Sequence, residues 1–302
     1  MTSSQTLTTK EFMMARTIAV STVIGCKNMC SYCPQDKVIK AYSERSKIRV
    51  MSFETFAKCI DKLPKDTAIN FAGFSEPCLN PDYVKMILYA NEKGHEIRLM
   101  TTIVGMKLAD IELLENVPFK RFFVHLPDNQ NQTKIVVDDG FVEIIARLIK
   151  SKINTEWKFH QLPNGNEDVH TKLKPLLIET GIYDSMVKAG LKTRAGNIEI
   201  EGKSTLEKIK GKIKGCHLLY TNQLVPNGDV FICCMDWELK YHLGNLLHSD
   251  YDSLFQSNTF QDILKGFKDD NSEILCRYCE LCERQESLLG RIKNASSFNK
   301  RA

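Results

Sequence analysis

The sequence has no long apolar run. No stretch approaches the roughly 18 consecutive apolar residues that cross a bilayer. Its start, MTSSQTLTTKEFMMART, has no apolar core followed by a small-residue cleavage site, so no signal peptide is read. A cytoplasmic location and no membrane partner are the expectation. An excess of one charge sign is also missing. Forty-one basic residues face 37 acidic ones, for a net charge of +4. That balance is too even for a nucleic-acid-binding face, and no nucleic-acid partner is expected. The lysines at 203–214 and 293–300 read as solvated faces or a tail. No G-x-G-x-x-G follows the first β-like run, which removes the best mark of a dinucleotide-binding fold. No self-similar repeat of roughly 20–50 residues is present. Between Cys78 and Cys216 there is no cysteine.

Elsewhere cysteine is abundant. There are eleven: Cys26, Cys30, Cys33, Cys59, Cys78, Cys216, Cys233, Cys234, Cys276, Cys279 and Cys282. In a reducing compartment such a set reads as metal ligation rather than disulfides. Three lie close together near the start and six in the last third, which points to two separate metal sites.

The length, 302 residues, suits one large α/β domain and a small appended one. Short β-rich runs at 17–24, 67–71, 96–101, 121–126, 155–160 and, more weakly, 191–194 alternate with helical patterns at 53–63, 82–93, 108–116, 141–152 and 169–180. Ser52 is placed to cap the first helix, Asn80 and Pro81 open the second, and Gly94 stops it. Six such units in order predict a parallel sheet covered by helices. Right-handed crossovers leave a doubly wound sheet or a partial barrel, and six units are too few for an eightfold one. Residues 198–214 read as a linker, 224–233 as a hairpin around Pro-Asn-Gly-Asp, and 251–268 as short helices. The expected division is 1–16, 17–197, 198–214 and 215–302.

Residues 25–34 read GCKNMCSYCP. The spacing Cys26-x3-Cys30-x2-Cys33 puts three thiols on one loop after the first strand. Three thiolates can hold three corners of an iron–sulfur cube and leave the fourth iron open. Structural zinc wants four ligands, and no histidine lies nearby in sequence. C-x3-C-x-aromatic-C after the first strand resembles the radical S-adenosylmethionine superfamily. The resemblance implies a partial (β/α)6 TIM-like barrel, with a [4Fe–4S] cluster on Cys26, Cys30 and Cys33. It also implies S-adenosylmethionine bound at the open iron and cleaved to a 5′-deoxyadenosyl radical. Tyr32 takes the aromatic position, which implies packing near the adenine. Residues 71–77, FAGFSEP, are similar to the family's G-G-E-P-type loop. Gly73, Ser75, Glu76 and Pro77 fit the pattern, and the match implies that the backbone of this loop and the acidic side chain receive the methionine amino group, while Phe74 departs from the pattern. His125 ends the fourth strand, where the resemblance implies the adenosine; packing is its other reading. Ile103 interrupts the pattern at the third strand.

The distal set runs Cys216-x11-Gly228-x4-Cys233, then Cys276-x2-Cys279-x2-Cys282. It resembles the SPASM and Twitch extensions. The resemblance implies a small C-terminal Cys-rich domain of hairpin and helix. It implies an auxiliary [4Fe–4S] cluster on Cys216, Cys233, Cys276 and Cys279, with Cys282 able to replace one of them. Adjacent Cys234 points to the other side of a strand. Zinc is the rival occupant. Cys59 and Cys78 read as packing residues. A fully ligated second cluster implies electron removal. The expected reaction is therefore a net oxidation or rearrangement of a polar small molecule, of sugar, aminocyclitol or nucleoside type. Arg194 is the candidate catalytic residue, with a structural ion pair as its alternative. An external one-electron reductant such as flavodoxin or ferredoxin is the expected partner. Two other readings stand beside this one. Modification of a peptide or protein side chain is disfavoured because only about 16 residues precede the first strand, too few for a peptide-recognition domain. The other is a zinc-binding scaffold without catalysis.

Overall fold

The structure is a computed structural model that describes residues 16–161, 165–200 and 207–284. Most of the expected N-terminal extension and the lysine-rich tail lie outside the described residues.

Six parallel strands form the barrel part of the sheet: β1 Thr17–Val20, β2 Ala68–Phe71, β3 Ile97–Thr101, β4 Arg121–His125, β5 Thr155–Gln161 and β6 Val187–Gly190. They lie side by side in chain order, each in parallel register with the next. All four residues of β1 and of β2 are buried, as expected of strands covered on both faces. The helices between them are α1 Gln35–Arg45, α2 Phe53–Ile60, α3 Tyr83–Glu92, α4 Leu108–Leu114, α5 Asp139–Ile149, α6 Lys174–Glu179 and α7 Ile182–Ser185. Ser52 caps α2 by accepting from the Thr55 amide, and Asp138 caps α5 by accepting from the Phe141 amide. The α2 stripe of Phe56, Cys59 and Ile60 is buried against the sheet, so Cys59 is a core residue.

Three expectations shift. The helix expected at 169–180 is shorter and broken, because Pro175 starts α6 and Gly181, at φ +72°, separates it from α7. The sixth strand falls at Val187–Gly190, so residues 191–194 run past its end into a loop. Helix α1 has no counterpart in the sequence reading, since only Val38 and Tyr42 along it are buried and its apolar stripe is thin.

The C-terminal part adds β7 Ile213–Cys216, β8 Thr221–Leu224, β9 Asp229–Phe231, β10 His242–Asn245, helix α8 Asn258–Gly266 and β11 Cys282–Arg284. The expected hairpin is β8–β9, turning at Gly228 with φ +86°. Strand β8 pairs in parallel with β1, from Thr17 opposite Thr221 to Val20 opposite Leu224. One nine-stranded sheet results among the described residues, in the order β10-β9-β8-β1-β2-β3-β4-β5-β6. The segment that carries the distal cysteines is thereby fixed to the first barrel strand by main-chain hydrogen bonds. Strands β7 and β11 form a separate antiparallel pair in which Cys216 stands opposite Cys282. No helix among the described residues is long and apolar enough to cross a membrane.

Candidate active site

The C-terminal ends of the parallel strands surround a cavity of about 290 Å³. Loops at this end of an α/β sheet are where such folds hold ligands, because helices close the sides. Cys26, Cys30 and Cys33 all reach this cavity. All three are partly exposed, and each is a free thiol. Their loop is braced from several sides. The Cys26 amide donates to Gln35 Oε1 at 3.2 Å, and Gln35 Nε2 donates to the Phe74 carbonyl at 2.7 Å. Asn28 Nδ2 donates to Thr102 Oγ1 at 2.7 Å, and the Ser31 amide donates to the Gln132 carbonyl at 2.8 Å. Gly25, at φ +101°, provides the turn out of the segment that follows β1. Burial pushes the Cys26 thiol up. The closeness of Cys30 and Cys33 pulls Cys33 down, with Arg194 adding to the effect, and pushes Cys30 up.

The Gly73–Glu76 loop forms the next wall. Glu76 is 4% exposed and all its acceptor sites are occupied. Oε1 accepts from the Thr101 hydroxyl and, at 3.0 Å, from the Cys78 amide. Oε2 accepts from the Thr102 amide at 2.6 Å and the Thr102 hydroxyl at 2.7 Å. A carboxylate offers about four lone-pair sites. The expectation that this side chain receives an ammonium group is therefore replaced by a different role: Glu76 ties the loop to the end of β3. Ser75 likewise donates its hydroxyl to the Val23 carbonyl. Gly73, at φ +121°, is a glycine because a Cβ there would collide with the Gln223 side chain of β8. Main-chain groups of this loop are what remain to meet a ligand.

The far wall is aromatic and basic. Tyr32 stacks on His160 with ring centroids 4.7 Å apart, and His160 meets His125 at 5.1 Å. Burial, then each other's neighbours Lys158 and Arg194, hold both imidazoles neutral: His125 well below its ordinary value and His160 down to about 3. Arg194 lines the cavity from the loop after β6. It forms no ion pair among the described residues, so the ion-pair alternative is not what the structure shows. Five buried polar atoms of residues on the wall have no hydrogen-bond partner among the described residues: Asn70 Oδ1, His160 Nδ1 and Nε2, Arg194 Nε and Trp237 Nε1. Unsatisfied groups facing a cavity call for a polar ligand.

The distal cysteines form a second cluster of thiols. Cys282 lies beside Cys216, Cys276 and Cys279, and this proximity raises the Cys282 thiol and lowers those of Cys216 and Cys279. Cys233 is buried beside Cys276 and Cys234, and burial pushes its thiol up. Cys282 thus stands at the centre of the set, where the sequence reading gave it a substitute's place. Cys234, in the turn after β9, lines the first cavity. Cys78 makes a 3.3 Å contact between its sulfur and the Thr101 hydroxyl, within the packing behind the Glu76 loop. Between Cys276 and Cys279 sits Arg277, fully buried, donating to the carbonyls of Ile209, Gly211 and Gly266 at 2.7–3.0 Å. Both donor sets are sulfur alone. No group of three or more His, Cys, Asp or Glu side chains among the described residues is arranged around a single ion. All-thiolate sets of this kind fit iron–sulfur ligation.

Sequence reasoning missed Asn28, Gln35, Asn70, His160, Trp237 and Arg277. Asn28 and Gln35 flank the cysteines and were within reach of a closer reading. The others become neighbours only through the fold.

Residues 216–283 match the family described as SPASM, iron–sulfur cluster-binding domain. No curated protein matches the chain. Among solved structures, the crystal structure of BtrN in complex with AdoMet and 2-DOIA is 14% identical, with a TM-score of 0.54 over 90% of this chain and 96% of that one. Streptococcus suis SuiB bound to precursor peptide SuiA is 13% identical, with a TM-score of 0.59 over 88% of this chain and 69% of that one. Native anSMEcpe with bound AdoMet is 13% identical, with a TM-score of 0.58 over 88% of each chain. These likenesses show the fold. The resemblance read from the two cysteine patterns is borne out in fold by the solved structures and in the C-terminal segment by the family match.

Proposed function

We propose that the chain is a radical S-adenosylmethionine enzyme acting on a polar small molecule. One observation carries this reading. The three thiols of the Cys26–Cys33 loop open onto a cavity that also contains the Gly73–Glu76 loop and, across from both, Cys234 and Trp237 of the C-terminal segment. When bound, the open-cornered cluster with S-adenosylmethionine supplies a hydrogen-abstracting radical and the auxiliary cluster a one-electron acceptor, which suits a net oxidation or rearrangement.

The protein's own groups do the holding. Cys26, Cys30 and Cys33 hold the first cluster. Main chain at Gly73–Glu76 receives the methionine amino group, with Glu76 and Thr102 fixing the loop. Tyr32 and His125 shape an apolar, uncharged wall for the adenosine. Cys216, Cys276, Cys279 and Cys282, with Cys233 beside them, hold the second cluster. A flavodoxin- or ferredoxin-type reductant supplies the first electron. The cavity volume, about 290 Å³, lies at the lower edge of the range for ligand sites, in keeping with a small ligand. The likeness to SuiB, solved with a precursor peptide, supports peptide modification as the second reading.

Anaerobic reconstitution followed by reduction tests the proposal. Wild-type protein should convert S-adenosylmethionine to 5′-deoxyadenosine and methionine, and Cys30→Ala should not. Cleavage retained in Cys30→Ala, or wild-type protein that takes up zinc and no iron or sulfide, would overturn it.

A further inference from the structure

Arg194 stands on an unusual stretch of main chain. Arg194, Ala195 and Gly196 follow one another at φ +55°, +56° and +78°. Arg194 and Ala195 are non-glycine residues held in the left-handed region, so the surroundings must enforce it. They do so visibly. Thr193 donates its amide at 3.2 Å and its hydroxyl at 2.8 Å to Glu280 Oε2, and Glu280 lies between Cys279 and Cys282. Asn197 Nδ2 donates to the Arg194 carbonyl at 2.8 Å and to the Met235 carbonyl at 3.2 Å. Lys37 Nζ donates to Asn197 Oδ1 at 3.2 Å. The loop is pinned to the distal cysteine segment on one side and to the turn before Trp237 on the other.

The result is a guanidinium presented to the cavity with its Nε–H buried and unpartnered. From the neighbouring turn comes a second orphan donor. Trp237 is 2% exposed, its ring is held edge-on to Phe74 at 5.0 Å, and its Nε1–H has no partner. Lys158 adds positive potential from β5, while His125 and His160 stay neutral. The carboxylate on the opposite wall, Glu76, is saturated by its own four donors.

We propose that Arg194 and Trp237 form an anion subsite, and that the substrate carries a carboxylate or phosphate seated on it. Two N–H donors, one of them charged, match the oxygens of such a group, and a guanidinium binds them with defined geometry. An anionic group meets the charge of Arg194 more strongly than a neutral sugar hydroxyl does. This inference rests on reading the cavity as the site of a radical S-adenosylmethionine reaction, and it narrows the substrate class within that reading.

The test is calorimetric titration of the reconstituted protein with inorganic phosphate and, separately, with malonate. Parallel titrations use S-adenosylhomocysteine and 5′-methylthioadenosine, and S-adenosylmethionine cleavage by wild type is assayed alongside. Wild type should bind one of the two anions. Arg194→Gln should weaken that binding by at least about tenfold, as expected for loss of a charge-assisted contact. Arg194→Lys should fall between, and Trp237→Phe, which keeps the ring and removes the N–H, should weaken it severalfold. The better-bound anion identifies the group. Anion binding that is absent from wild type, or unchanged in Arg194→Gln and Trp237→Phe, would overturn the subsite. So would an Arg194→Gln protein that loses affinity for S-adenosylhomocysteine while keeping it for 5′-methylthioadenosine, because Arg194 would then serve the cofactor's carboxylate. Failure of wild type to cleave S-adenosylmethionine is a separate result and counts against the functional reading itself.

Discussion

The Cys26–Cys33 loop gathers its thiols within one short stretch, partly exposed and facing a cavity. The distal thiols come from separate places: Cys216 on β7, Cys276 and Cys279 around a tight turn, Cys282 on β11. Cys216, Cys276 and Cys279 are buried, and Cys282 lies beside all three. A local, partly exposed set leaves room for an outside ligand. A buried set assembled from several segments closes on itself. The difference in construction is the physical basis of the proposal that the two sites do different work, radical generation at the first and electron acceptance at the second.

The comparison breaks most visibly if the sites are not independent. A Cys26/Cys30/Cys33 triple alanine variant should lose all S-adenosylmethionine cleavage yet keep about four irons per chain, one cluster's worth. Background iron alone in that variant would show that the second set holds no cluster. Next in size is the internal order of the distal set. Cys282→Ala should empty the second site of iron and Cys233→Ala should remove less, because Cys282 lies beside three thiols and Cys233 adjoins only part of the set. Equal loss in both variants would demote Cys282.

A smaller effect probes how the distal site is held. Arg277→Met removes the side-chain donor of four main-chain carbonyls, those of Ile209, Gly211, Gly266 and Phe267. Destabilisation on the order of 3 kcal/mol should follow, seen as a lowered unfolding midpoint, since each unsatisfied buried acceptor costs about 1–3 kcal/mol. An unchanged midpoint would show that the staple is not needed.

A further prediction concerns pH. His160 is held to about 3 by burial and by Lys158 and Arg194, below its ordinary value of 6.5. Its neutral form contributes stability fully above that ordinary value. As pH falls from there toward about 3, the unfolded chain takes up a proton that the folded chain refuses, and the contribution is lost. His160→Phe should therefore lose less stability than wild type between about pH 7 and pH 4. Parallel losses in the two proteins would mean that another group controls acid unfolding in this range.

What the sequence made legible follows the same division. Strands β1 to β4 were visible because each is a short, largely buried run followed by a helical period, whereas β6, mostly exposed at Val187–Gly190, was not. The Cys26-x3-Cys30-x2-Cys33 loop was visible because all its chemistry is local. Spacing also exposed Gly228 and Cys233. It did not reveal that β8 joins β1, which brings Gln223 against Gly73 and the C-terminal segment onto the cavity. Nor does periodicity show that Glu76 is filled by the end of β3, or that Arg194 and Trp237 come from loops bridged by Asn197. Those facts depend on long-range pairing, which a one-dimensional pattern does not carry. Arg277 was missed because a charged residue between two cysteines reads as surface until its partners are known.

The claim that the two thiol sets do different work is tested most directly by electron paramagnetic resonance on the reduced, reconstituted protein. The account predicts two reduced [4Fe–4S] signals. Adding S-adenosylmethionine should shift one and leave the other, and the shifting signal should be the one missing from the Cys26/Cys30/Cys33 variant. A single signal, or two that ignore S-adenosylmethionine, would contradict it.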